Sequence, residues 1–64
     1  MEVHHISADK PHAVKCIDIY LNHEGGEVQI VDATKTSNRI SISALDWNEL
    51  VDRIKAEQIG KIRL

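Results

Sequence analysis

The sequence predicts an α+β domain in which a small antiparallel sheet of three to four strands precedes one C-terminal amphipathic helix, packed on one sheet face. Three observations carry this. Apolar residues alternate with polar ones in three separate stretches of the chain, polar turn-forming clusters divide those stretches, and at Ser43 the apolar period changes from 2 to 3.6.

The first strand is expected over residues 13–21, where Ile17, Ile19 and Leu21 share one face and Cys16, Asp18 and Tyr20 the other. Val3 to Ile6 offers a further strand, and Pro11 favours a turn before residue 13. Asn22-His23-Glu24-Gly25-Gly26 is a polar, Gly-ended turn, so Glu27 to Ala33 is expected to return as the second arm of a hairpin with Val28 and Ile30 on one face. Thr34 to Asn38 is the next turn. Arg39-Ile40-Ser41-Ile42-Ser43 follows, with Ile40 and Ile42 inward and the other three outward, as a half-solvated antiparallel strand requires.

Ser43 is placed to cap the helix, with Asp46 three residues on near the positive end of the helix dipole. Trp47, Leu50, Val51 and Ile54 then form an i, i+3, i+4, i+7 stripe, and Glu49 and Arg53 face each other at i, i+4 on the outer side. The helix is expected to end near Gln58, with Gly60 as terminator, and residues 61–64 to form a short extended tail. The helix stripe is expected to pack on Ile17, Ile19, Val28, Ile30, Ile40 and Ile42. Val14, Cys16, Tyr20 and Val31 have the opposite strand parity, which leaves a second, partly apolar face without cover and points to a homodimer or a larger protein partner.

Composition narrows the function. With 64 residues, the chain is read as one small domain, residues 1–64, with its core at about 13–59. Nine Ile, five Val and four Leu at a formal net charge of −2 are too apolar for a disordered chain. No apolar run approaches a membrane span and no secretory leader pattern is present, so a cytoplasmic setting is expected. The single Cys16 permits no disulfide within the chain. Lys and Arg, 8 against 10 Asp and Glu, are scattered singly, and Tyr20 and Trp47 are the only aromatic residues. Both facts disfavour direct nucleic-acid binding.

Catalysis has no visible machinery, since no nucleophile elbow occurs and Gly25-Gly26 sits in a hairpin where it cannot lead a strand into a helix. No catalytic residue, cofactor site or metal site is assigned. His12 and Cys16 share strand parity but are about 13 Å apart in an extended chain, too far for one ion. Convergence of His4, His5 or His23 in space is the open route to a metal; solvent-facing imidazoles are the simpler expectation.

Three segments together resemble a known family. They are Cys16-Ile17-Asp18-Ile19, then Val28 to Lys35, and then Ile40 to Trp47 with Leu50, Ile54, Lys55 and Ala56. They are similar to a small actinobacterial domain-of-unknown-function family that includes the developmental regulator Bald B. Its members read Cys-Val-Glu-Val, Val-x-Val-Arg-Asp-Ser-Lys, and a strand ending at Ser-x-x-Glu-Trp that enters a helix closing with Lys-Ala-Gly-Glu. This sequence has Val31 where that pattern has Arg and Glu57 where it has Gly. The resemblance implies a non-catalytic regulatory module that acts beside a helix-turn-helix regulator, and in some members self-associates.

The expected partner surface is the uncovered face around Tyr20 and Val31, with Asp32 and Lys35, which match the Asp-Ser-Lys segment, at its margin. Two other functions fit parts of the sequence. A single-stranded nucleic-acid-binding coactivator with strands before one helix is loosely compatible with the topology, and an inhibitor of a host defence protein, encoded by a phage or mobile element, is compatible with the acidic helix residues Asp46, Glu49, Asp52 and Glu57.

Overall fold

The computed structural model describes residues 1–8 and 16–63. The expected turn at Pro11, the segment 13–15 of the first predicted strand, and Leu64 lie outside the described residues. Four strands, β1 (Glu2–Ile6), β2 (Ile17–Asn22), β3 (Glu27–Asp32) and β4 (Arg39–Ser43), lead into one helix, α1 (Ala44–Lys55). The strands form a single antiparallel meander in the order β1-β2-β3-β4. Strand β2 begins at Ile17, leaving Cys16 ahead of the strand with its Sγ donating to Ser7 Oγ.

The register sets the two faces. Leu21, Val28 and Ile42 are aligned across β2, β3 and β4, as are Ile19, Ile30 and Ile40, so the predicted inward positions do share one face. Helix α1 contacts β3 and β4. It is fixed at its start by Ser43, whose Oγ accepts from the Asp46 N–H and donates to Asp46 Oδ2, both at 3.1 Å. Trp47 is half-buried in a crevice with Leu21, His23 and Val28.

The helix covers only part of that face. Ile17 is 37% exposed and Ile40 57%, and Ile54 on the helix itself is 51% exposed, so the expected packing of the stripe across all six β positions does not occur. The reason is direct: the chain passes from Ser43 straight into α1, which holds the first turn at the Val28–Ile42 end of the sheet and away from the Ile17–Ile40 end. Among the described residues, the apolar side chains that are buried are Val28, at 3%, and Val31, at 2%.

The helix ends earlier than the expected terminator. Ala56 is the C-cap, Glu57 takes φ 60°, the Glu57 N–H reaches the Ile54 carbonyl at 3.1 Å, and the Gln58 N–H reaches that of Arg53 at 3.0 Å. This is the paired bonding of a Schellman stop, which asks for a left-handed residue just past the cap and usually finds Gly there. Glu57 therefore does the work assigned to Gly60, at the cost of a Cβ clash. Glu57→Gly should raise stability by about 0.5–1 kcal/mol, as relief of that clash outweighs the added freedom of the unfolded chain. A higher urea midpoint at unchanged slope is the expected reading.

Candidate interaction face

The face opposite α1 is built from the alternate residues of each strand: Tyr20 and Asn22 from β2, Glu27, Gln29 and Val31 from β3, and Arg39 from β4. With Met1 and Thr36, these side chains line an open cavity of about 360 Å³. Its floor is apolar and its rim is hydrogen-bonded. Arg39 Nε donates to the Thr36 carbonyl at 2.9 Å, and a terminal guanidinium nitrogen reaches Gln29 Oε1 at 3.4 Å. Arg39 is also the cross-strand partner of Val31, so its stem lies beside that valine.

This arrangement changes the reading of Val31. Parity correctly puts Val31 beside Tyr20 on the face away from the helix, but at 2% exposure its side chain forms the floor of the cavity and offers a partner no open surface. Tyr20 is half-buried at the cavity wall, where it keeps part of its surface open.

Asp32 and Lys35 are not part of the same face. Asp32 pairs with Ile17 across β2 and belongs to the helix side of the sheet, beside an open apolar hollow lined by Ile17, Ile30 and Ile40. Its carboxylate is committed to the β3–β4 turn: Oδ1 accepts from the Thr34 N–H at 2.9 Å and from Thr34 Oγ1 at 2.6 Å. Those two hydrogen bonds from Thr34, the hydroxyl first, hold the Asp32 carboxyl below the usual aspartate range. Lys35 is exposed within the turn, its N–H bonded to the Asp32 carbonyl at 3.1 Å. The four expected recognition residues are thus divided between a cavity and a turn on the far side.

A pH response follows from Asp32. A carboxyl whose folded pKa is depressed adds stability above its unfolded value, and that stability is lost as pH falls through the folded value. Stability should therefore decline on acidification below about pH 4, where an unperturbed aspartate begins to protonate. Asp32→Asn should flatten that part of the profile. Thermal unfolding between pH 2 and pH 6 for both chains checks it.

Sequence reasoning did not foresee the hydrogen-bonded decoration of β1. His4 and His23 each donate from Nε2 to the Glu2 carboxylate, His23 at 2.8 Å, and His5 pairs through Nδ1 with Asp18 Oδ1 at 2.5 Å. The hydrogen bonds from His4 and then His23 draw the Glu2 carboxyl below its ordinary value. Alternating parity was the available signal, since Glu2 and His4 must share a face and His23 must follow the β2 end. Among the described residues, no three His, Cys, Asp or Glu side chains form a group that can hold a metal ion, and no helix is long and apolar enough to cross a membrane.

The fold and this face together define a small α+β domain with an antiparallel meander, a half-covered helix side and a cavity-bearing open side. No protein-family model matches the chain, and no curated protein or solved structure is similar to it at the significance required.

Proposed function

We propose that this chain is a non-catalytic, homodimeric protein-interaction module that acts in the cytoplasm with a DNA-binding regulator of the helix-turn-helix type. The observation that carries the reading is the distribution of apolar surface. Two valines are buried, while Ile17, Ile40 and Ile54 are each more than a third exposed, an imbalance typical of surfaces completed by a partner. The radius of gyration, 13.1 Å, is that of a domain of about 100 residues, which again describes a chain with little interior of its own. The helix-turn-helix partner rests on the family resemblance carried by the segments around Cys16, Asp32 and Trp47.

Native affinity capture from the source organism, followed by mass spectrometry, tests the reading. The wild-type chain should enrich a DNA-binding regulator, and Tyr20→Ala should lose that enrichment while keeping its unfolding transition, because Tyr20 stands at the cavity wall and is not one of the buried side chains. A chain that stays monomeric and captures no regulator contradicts the proposal. Binding of labelled single-stranded DNA tighter than about 10⁻⁴ M at low salt transfers support to the nucleic-acid alternative.

A further inference from the structure

The two edge strands of the sheet, β1 and β4, differ in how they are protected against pairing with another strand. Strand β1 carries Glu2 and His4 on one face and His5 on the other, polar side chains tied into hydrogen bonds on both faces of the edge, where pairing with another strand is discouraged. Strand β4 reads Arg-Ile-Ser-Ile-Ser, with no Lys, Pro or bulge, and the guanidinium of its one charged residue is turned inward onto Gln29 and Thr36.

The backbone of β4 also points outward at useful places. The β3–β4 ladder is flanked by bonds from the Asp32 N–H to the Asn38 carbonyl and from the Ala44 N–H to the Gly26 carbonyl, both 2.9 Å. In an antiparallel pair the bonded positions recur every second residue, so Ile40 and Ile42 bond inward to β3. Arg39 and Ser41 then direct their N–H and C=O groups to the free edge, and Ser43 its N–H, its carbonyl being the one that opens the bonding of α1.

We propose that a second copy of this chain adds antiparallel to the free edge of β4, about a two-fold axis at Ser41. This deepens the interaction-module reading by naming one partner and the surface it uses. In that register Ser41 meets Ser41 of the second copy as a hydrogen-bonded pair, Arg39 meets Ser43, and Ile40 meets Ile42. Every polar residue of β4 faces a polar one and every apolar residue an apolar one, which is the self-complementarity an isologous interface needs. No like charges are opposed.

The same axis accounts for the bare half of the helix face. Each α1 starts at the Ser43 end of its own β4, and Ser43 of the second copy lies opposite Arg39. The second copy's helix thus begins beside the end of the sheet where Ile40 and Ile17 stand exposed. The exposed apolar side chains Ile17, at 37%, and Ile40, at 57%, are the surface such a copy would cover.

Sedimentation equilibrium of the untagged chain, with hydrogen exchange read residue by residue, tests the proposal. The mass should be twice 7.2 kDa at concentrations up to about 1 mM, and the Ser41 amide should lose protection on dilution while the Ile40 amide keeps it. Ser41→Pro removes an N–H that bonds nothing within the sheet, so it should give a folded monomer by circular dichroism. Ile40→Lys, at a position 57% exposed, should do the same without touching the backbone, and it decides the matter where the proline variant does not fold. A monomeric wild type, or folded variants that remain dimeric, overturns the β4 interface. A monomer that still captures a regulator overturns this proposal alone and leaves the interaction module standing, whereas a β4 dimer that captures none supports this interface and counts against the regulator.

Discussion

Trp47→Ala is expected to destabilise the domain by about 2–4 kcal/mol, slightly below the range for a fully buried Trp because this ring is half-exposed. The ring lines a crevice at the first turn of α1 together with Leu21 and Val28, so its loss removes apolar surface where helix meets sheet. A domain of this size rarely has more than about 3–5 kcal/mol of stability. The variant should therefore be largely unfolded near its growth temperature. Chemical denaturation of the two chains side by side gives the difference. A loss below about 1 kcal/mol would mean that α1 is held to the sheet by something other than this ring.

Val31→Asp is expected to have an effect at least as large, about 3 kcal/mol or more, since a carboxylate at a 2% exposed site must either stay charged without water or bind a proton. Its neighbours across the sheet are Asp18 and Arg39. Arg39 already bonds Thr36 and Gln29, and Asp18 repels the new charge, so the substitution finds little compensation. This variant separates two roles for the same residue. If Val31 were an open contact for a partner, the domain would fold and fail only to associate; as the floor of the cavity, it should unfold. Far-UV circular dichroism at neutral pH distinguishes them.

The elements were legible in the sequence wherever periodicity was strict. Arg39 to Ser43 alternates without exception and is strand β4 residue for residue, and the Ser43–Asp46 spacing marks a cap that forms as expected. The helix stop was misread because Gly60 is the composition-level signal, whereas the local bonding put the left-handed position at Glu57, a residue whose own preference gives no hint of it. Parity identifies which face a residue occupies but not how much of that face a short helix covers. Hence Val31, assigned to the correct face, was expected to be open and is buried, and Ile40, also on its correct face, was expected to be covered and is not. The candidate site was less legible still, because Asp32 and Lys35 were placed at the margin of the Tyr20 face by their match to the Asp-Ser-Lys segment, and a motif match carries no information about side-chain direction. A single step along β3 reverses the direction of a side chain.

The strand order of the meander has a kinetic consequence. Every pairing in the sheet joins strands consecutive in the chain, and β2–β3 and β3–β4 close over short turns, with Gly26 at φ 65° in the first. Short closures cost little entropy, so the β2–β3 hairpin can form on the microsecond scale and receive β4 as the next addition. Helix α1, which docks on a surface that exists only once β3 and β4 are paired, should form its contacts after the rate-limiting step. Substitutions at Trp47 are then expected to accelerate unfolding while leaving the folding rate nearly unchanged, and substitutions at Val31 to slow folding.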